Sequence, residues 1–274
     1  MIPVYVVALP DSRRVINLES DLRDQNISFI RVDAVDGRKI PSNELFQMCD
    51  LQATYARLGY RISNTLLGCA LSHKNVYERA AEASDDWILV LEEDVRLHSN
   101  FSEAISNLVT LLRIDEPIIC QLFTRGERFV ARQSFIEIKA DKFLFKFKSP
   151  PGQTAAYLIN RKALELTREF QTISGPPDWP NWSSGVIFYG TYPYIVEETG
   201  DGSAIDAPPL TRKRYWLRNL SKISGLHFCK YRKSYENIPT YLKLEFLPLC
   251  NRYRWKFKGS PTFPAKEKRG LWLV

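Results

Sequence analysis

Two textures alternate along the chain: short unbroken apolar runs and longer stretches with helical spacing. Residues 2–9, IPVYVVAL, are nearly all apolar, the texture of a strand buried on both faces. Pro10-Asp11-Ser12 reads as a turn that supplies helix N-cap candidates. Over residues 13–25, Val15, Leu18 and Leu22 fall on one stripe and predict an amphipathic helix. Ile27–Val32 predicts a second strand, so the chain opens β-α-β, the unit of a parallel sheet. A mixed region follows 33-DAVDGRKI-40 and runs to about residue 65. The spacing of Ala70, Leu71, Val76, Tyr77 and Ala80 predicts a helix over 68–83. Further strands are expected at Ile88–Leu91, Ile118–Phe123, Phe143–Phe147, Ala155–Ile159 and Tyr192–Val196, with helices at Phe101–Leu112 and Arg161–Glu169. The Pro- and Trp-rich 174-SGPPDWPNWSS-184 and residues 197–210 read as loops. The fold class is therefore α/β with a mostly parallel central sheet.

Composition narrows the class without changing it. A length of 274 residues suits one large domain, or one domain with an appended segment, and 45% hydrophobic with 25% charged residues is ordinary for a soluble globular protein. The five Cys form no C-x-x-C pair, which points to a reducing compartment rather than a disulfide framework. No apolar run approaches the roughly 20 residues that span a bilayer. The opening MIPVYVVALPDSRR lacks a basic leader region, so it reads as a core strand and not a signal peptide, and the expected location is the cytoplasm.

Charge divides the chain. Residues 211–274 carry sixteen Lys and Arg against three Asp and Glu, a net of +13, whereas residues 1–210 net −6. In the basic part the cations interleave with aromatics, as in 253-YRWKFK-258. The expected organisation is a body over 1–210 and a basic aromatic extension, helical in part, over 211–274. Such a balance points to a partner surface of opposite sign, either anionic lipid or nucleic acid.

The candidate chemistry lies in 87-WILVLEEDVRL-97, where a buried-strand pattern ends in Glu92, Glu93 and Asp94. Ligands of open α/β sheets bind beyond the carboxyl ends of strands. In an extended chain Glu92 and Asp94 point to the same side, and two carboxylates there suit a hard divalent cation, Mg²⁺ or Mn²⁺. The plain alternative is a solvated acidic loop. A cation gripping a pyrophosphate stabilises a leaving nucleoside diphosphate, the chemistry of a nucleotide-sugar glycosyltransferase.

The order 4-VYVVALPDSRR-14, 34-AVDG-37, 68-GCALSH-73, 89-LVLEEDV-95 and 155-AAYLINRKALE-165 resembles glycosyltransferase family 25, over about residues 2–205. The family includes bacterial lipooligosaccharide galactosyl- and glucosyltransferases. The resemblance implies a GT-A type fold, a UDP-sugar donor, a divalent metal and inversion at the anomeric carbon. It also marks two departures. The family's usual E-D-D is Glu92-Glu93-Asp94 here, and the asparagine-leucine-aspartate ending of the first strand is replaced by Ala8-Leu9-Pro10-Asp11.

On this reading Asp94 and Glu92 are the expected metal ligands and Glu93 contacts the donor sugar. Leu9, Asp11 and Arg13 line the nucleotide pocket, with Arg13 reaching a phosphate. Asp33 or Asp36 accepts from uracil or ribose, although Asp36-Gly37 equally forms a plain tight turn. Ser72 and His73 sit near the donor, and Gln153 and Thr154 touch donor or acceptor. An inverting transferase needs a carboxylate base from another segment. Asp178 is the first candidate, with Glu197, Glu198 and Asp201 in reserve. The expected partners are a UDP-hexose, a lipooligosaccharide acceptor and, through the basic extension, the inner face of an anionic membrane. Nucleic acid is not expected. Two rival classes stay open at this point. A metal-dependent phosphoesterase or nuclease would want more His and Asp ligands than the three scattered His provide, and a nucleic-acid binder leaves the acids unexplained.

Overall fold

A computed structural model of the protein describes residues 2–50, 52–54, 62–124, 128–130, 136–139, 142–147, 150–168, 172–175, 185–199 and 271–273. Its centre is an eight-stranded sheet in the order β2-β1-β3-β9-β5-β10-β8-β7. In chain order these strands are β1 (Val4–Ala8), β2 (Ile30–Asp33), β3 (Trp87–Glu92), β5 (Ile118–Gln121), β7 (Ile136–Lys139), β8 (Lys142–Lys146), β9 (Ala156–Asn160) and β10 (Ile187–Tyr192). β1 pairs in parallel with β2 and β3, and β10 with β5, whereas β9 and β8 run against their neighbours. Six of the eight strands therefore share one direction, and the mostly parallel α/β sheet expected from the sequence is present.

The apolar runs are continuous because both faces of the sheet are covered. On β1, Val4, Val6 and Ala8 face one core cluster and Tyr5 and Val7 the other. On β3 the same division separates Trp87, Leu89 and Leu91 from Ile88 and Val90. Helix α1 (Val15–Asp24) buries Val15, Leu18 and Leu22 against the first face, and α4 (Phe101–Leu111) adds Phe101, Ala104, Ile105 and Leu108. The second face receives Val76, Tyr77 and Ala80 of α3 (Asn64–Ala81) and Ala163 and Leu164 of α5 (Arg161–Thr167). Each large side chain buried in this way contributes about 1.5–3 kcal/mol.

Several expected boundaries move. α3 begins at Asn64, four residues before the predicted start, because Ser63 caps it by accepting from the Leu66 amide at 3.3 Å. β2 begins at Ile30, since Asn26 adopts a left-handed conformation (φ 54°) and the Ile27 amide still bonds back to the Leu22 carbonyl. The strand expected at Tyr192–Val196 is corrected to two: β10 ends at Tyr192, and β11 (Val196–Glu198) pairs instead with β4 (Val95–Leu97). A short helix α2 (Ser42–Gln47) lies in the region left unassigned. Of the expected extension over 211–274, the described part is Leu271–Leu273 (β12), which pairs in parallel with β6 (Arg128–Val130).

One close approach fixes the floor of the site. A Cβ built on Gly68 would lie 2.5 Å from the Val35 carbonyl oxygen and 2.7 Å from the Gly37 nitrogen. A Cβ on Gly37 would lie 1.9 Å from the Asn64 carbonyl oxygen. The backbones of α3 and the 35–37 loop thus touch where no side chain fits. Helix propensity favours Gly68→Ala by roughly 1 kcal/mol, but the contact opposes it. The substitution is expected to destabilise the protein by about 1–3 kcal/mol in urea unfolding. An unchanged or raised midpoint would show that the loop yields and that the contact sets nothing.

Candidate functional site

The acids stand where β3 ends, and neighbouring elements converge on them for stated reasons. β1 runs parallel to β3, so the segment after Ala8 leaves the sheet at the same edge. β9 runs antiparallel to β3, so its incoming end, residues 153–155, reaches that edge as well, and the Glu92 amide donates to the Ala155 carbonyl at 2.8 Å. β11 lies against β4, and the Thr199 amide donates to the Asp94 carbonyl at 2.8 Å.

The acids do not keep strand alternation. β3 stops at Glu92, and Glu93-Asp94 forms a turn before β4. This corrects the expectation that Glu92 and Asp94 share a side through extended geometry. Glu92 turns toward α3, and Glu93 and Asp94 turn toward α1. All three still line one cleft, together with Leu9, Arg14, Asp36, Cys69 and Ser72.

Glu92 sits in a hydrogen-bond chain. Its Oε1 accepts from Thr154 Oγ1 at 2.7 Å and lies 3.1 Å from His73 Nε2. His73 Nδ1 lies 2.9 Å from the Tyr157 hydroxyl, which lies 2.8 Å from that of Tyr77. Burial pushes the Glu92 carboxyl up. The hydrogen bond and charge of His73, the Thr154 hydroxyl and the charge of Arg14 outweigh it and hold the group below its usual value. Burial pushes both tyrosine hydroxyls far up, so they stay protonated and can donate.

Glu93 and Asp94 share Arg14. The guanidinium donates to Glu93 Oε1 at 3.3 Å and to Asp94 Oδ2, and Glu93 Oε2 accepts from the Leu9 amide at 2.9 Å. Burial and the neighbouring Glu92 charge raise the Asp94 carboxyl despite Arg14. Among the described residues, Asp94 Oδ1 and Arg14 Nε are buried polar atoms with no hydrogen-bond partner.

The other expected residues divide. Arg13 is exposed and outside the cleft lining, whereas Arg14 and Arg38 line it. Asp11 is 90% exposed and 3.7 Å from Lys39 Nζ, and Asp33 is exposed; neither lines the cleft. Asp36 does, held below the usual carboxylate range chiefly by hydrogen bonds from the Arg38 guanidinium at 2.8 and 2.9 Å. Ser72 is buried with its hydroxyl committed to the fold, donating to the Gly68 carbonyl and accepting from the Val35 amide, each at 2.8 Å. His73 backs Glu92 from inside the protein. Gln153 takes a left-handed conformation (φ 81°), strained for this residue type. Its carbonyl accepts from Gln121 Nε2, and its side chain lies 3.5 Å from Glu198 Oε1.

Glu198 is half-buried beside the acid turn, whereas Glu197 pairs with His98 on an exposed edge. Asp178 and Asp201 lie outside the described residues. Arg14, Cys69, Tyr77 and Tyr157 belong to the constellation but were not singled out in the sequence. Arg14 was accessible there: it precedes Leu18 and Leu22 at spacings of four, on the inward side of α1. The tyrosines carried no such signal, since burial alone explains a Tyr at those positions.

The chain is 32% identical over 110 residues to the mouse (Mus musculus) protein named inactive glycosyltransferase 25 family member 3, covering 39% of this chain and 19% of that one. The human (Homo sapiens) protein of the same name is 32% identical over 112 residues, covering 39% and 18%. The chain thus spans about a fifth of the length of the curated relatives it matches. Among solved structures, a glycosyltransferase involved in glycosylation of the major capsid of PBCV-1 aligns at 13% identity and TM-score 0.31, covering 62% of this chain and 64% of that one. The galactosyltransferase LgtC, in complex with donor and acceptor sugar analogs, aligns at 13% identity and TM-score 0.29, covering 89% and 100%. The family described as glycosyltransferase family 25 (LPS biosynthesis protein) matches residues 1–175, ending three positions before Asp178. With well over half of its length matched, the chain belongs to glycosyltransferase family 25.

Proposed function

We propose that the protein is a metal-dependent inverting glycosyltransferase that moves galactose or glucose from a UDP-sugar to a lipooligosaccharide or lipopolysaccharide core acceptor. The observation that carries this reading, beyond family membership, is Asp94 Oδ1. It is a buried carboxylate oxygen without a hydrogen-bond partner, in a cleft that Glu92 also lines. A hard divalent cation satisfies such an oxygen, so the residues present fit Mn²⁺ or Mg²⁺, held by Asp94 and Glu92. When bound, the cation supplies Lewis-acid stabilisation to a departing nucleoside diphosphate.

The chain's own groups do the remaining work. His73 and Thr154 fix the Glu92 carboxylate and keep it ionised. Arg14 neutralises part of the acid block and offers a charge-assisted donor to a pyrophosphate in the cleft. Leu9 and Asp36 line the nucleotide side, and Glu93 meets the donor sugar. Asp178 is the expected base for the acceptor hydroxyl. Glu198, beside the acid turn, is the alternative that the described geometry favours, because β11 sets it next to Asp94. The basic residues of 211–274 suit peripheral contact with an anionic membrane surface, on the cytoplasmic side if the acceptor is built there. No helix among the described residues is long and apolar enough to cross a membrane.

Three measurements test these assignments. In a panel of UDP-sugars with Mn²⁺, the protein should release UDP from UDP-galactose or UDP-glucose, and Asp94→Ala should lower the rate roughly 100-fold or more. Equal turnover by the variant would sink the metal assignment. A folded protein that releases UDP from no donor would instead count against transferase activity itself.

The second concerns Arg14, whose charge lowers the Asp94 pKa in the folded protein. Removing it raises the folded-state value further above the unfolded one. The resulting loss of stability is absent at pH values where the carboxyls are protonated and grows as pH rises toward neutrality. Arg14→Met should therefore cost about 2 kcal/mol at neutral pH in urea unfolding with EDTA present, and less in acid. A deficit independent of pH would mean that Arg14 contributes packing alone.

Finally, the full chain should co-sediment with anionic liposomes more strongly than a chain ending near residue 210. Equal sedimentation would remove the membrane role of the extension.

A further inference from the structure

The inner wall of the cleft carries a second cluster with different chemistry. Cys69 and His73 stand one helical turn apart on α3, a spacing that puts both on one face. Glu92 meets that face from the end of β3. A ligand atom from each of Cys69, His73 and Glu92 lies within 4.8 Å of the other two. His73 Nε2 and Glu92 Oε1 are already 3.1 Å apart. We infer that Cys69, His73 and Glu92 form a binding site for a borderline-soft divalent cation, Zn²⁺ above all, with its open fourth position facing the cleft.

Three observations carry the inference. The first is the donor set. A thiolate, an imidazole and a carboxylate select Zn²⁺ or Co²⁺ over the all-oxygen preference of Mg²⁺ and Mn²⁺. The second is distance. Bonds of about 2.0–2.3 Å in a tetrahedron place ligand atoms roughly 3.3–3.8 Å apart, so the cluster must close by about 1 Å at its widest.

The third lies behind the ligands. His73 coordinates through Nε2 only if Nδ1 carries the proton, and Nδ1 points at the Tyr157 hydroxyl at 2.9 Å. In that tautomer the Tyr157 hydroxyl accepts from Nδ1–H and is free to donate to the Tyr77 hydroxyl 2.8 Å away. A histidine whose second nitrogen is fixed by a buried partner is the usual support of a metal ligand. His73 is 1% exposed, so the support is rigid, while Cys69 and Glu92 line the cleft and leave a route of entry.

Binding releases to solvent the Cys69 thiol proton and the proton that His73 Nε2 donates to Glu92, and forms the metal–sulfur and metal–nitrogen bonds. The site shares Glu92 with the oxygen site proposed above and so rests in part on that residue's placement. It does not require transferase activity. Zn²⁺ held here draws Glu92 toward α3 and away from Asp94, so it should inhibit a Mn²⁺-dependent reaction.

The test uses the purified full chain without donor. Co²⁺ titration should give one equivalent with a thiolate-to-cobalt charge-transfer band and intense tetrahedral d–d bands, both bleached by Zn²⁺. Cys69→Ser should lose the charge-transfer band and weaken Zn²⁺ at least roughly 10-fold, whereas Cys229→Ser, in the basic extension, should change neither. A band that survives Cys69→Ser, or that disappears in Cys229→Ser, overturns the site. Should Cys69→Ser fail to fold, the wild-type chain still decides. Saturating Zn²⁺ must protect Cys69 from iodoacetamide, read on its peptide by mass spectrometry, and equal alkylation with and without Zn²⁺ overturns the site. Loss of UDP release in Asp94→Ala, with cobalt spectra unchanged, would separate failure of one cation site from failure of the other.

Discussion

Three carboxylates at the mouth of a buried strand impose the constraint that organises this end of the molecule. An uncompensated buried carboxylate costs several kcal/mol, so each needs a donor or a cation. The protein meets the demand from separate elements. Arg14, at the N-cap of α1, serves Glu93 and Asp94, the Leu9 amide serves Glu93, and His73 of α3 with Thr154 before β9 serves Glu92. The acids thereby tie together the strand edge that they terminate. Removing any one partner should disturb the geometry of the others, since the three side chains share a cleft.

Helix α3 carries much of this arrangement through one face. Gly68 allows the loop after β2 to touch the helix backbone, and Ser72 pins that loop through the Val35 amide. Cys69 faces the cleft, and His73, one turn on, holds Glu92. The stretch 68-GCALSH-73 therefore reads as a set of contacts. Its glycine makes room, its serine sets the loop position and its histidine sets a carboxylate. The same contacts explain why 34-AVDG-37 accompanies it in sequence, since Gly37 abuts Asn64 at the start of the helix.

Much of the fold was legible because the sheet is covered on both faces. Continuous apolar runs marked β1, β3 and β9, and the stripe of Val15, Leu18 and Leu22 marked α1. Boundaries set by capping and turn geometry were less visible. The true start of α3 depends on the Ser63 hydroxyl, and the break after Tyr192 depends on β11 finding β4 rather than the main sheet. The acid cluster was visible as a violation of its own strand pattern. The directions of its side chains were not, because alternation holds only while the strand continues, and β3 ends at Glu92. Arg13 and Arg14 show the same limit. Composition offered two arginines, and only the register of α1 separates the inward one from the exposed one. Of the residues expected to touch a nucleotide, Asp11 and Asp33 stand outside the cleft, while Leu9, Asp36, Ser72 and Glu93 line it.

Charge bookkeeping in the cleft bears on how the proposed anionic donor would be received. The lining carries four carboxylates, Asp36, Glu92, Glu93 and Asp94, against the guanidinium groups of Arg14 and Arg38. Arg38 is paired with Asp36 through two hydrogen bonds, which leaves Arg14 as the cation facing three acids. The remainder is two negative charges. A diphosphate brought into that field without a counter-ion would be repelled, and the cost rises as the cleft excludes water. On the proposed reading, one divalent cation would cancel the remainder, and Arg14 could then turn from the acids toward a phosphate. On that reading the two would be coupled, because a cation held by Asp94 would release Arg14 from its present partner and leave it available to a diphosphate. An arginine that balances the acids of the cleft and then meets the donor would serve stability and catalysis in turn.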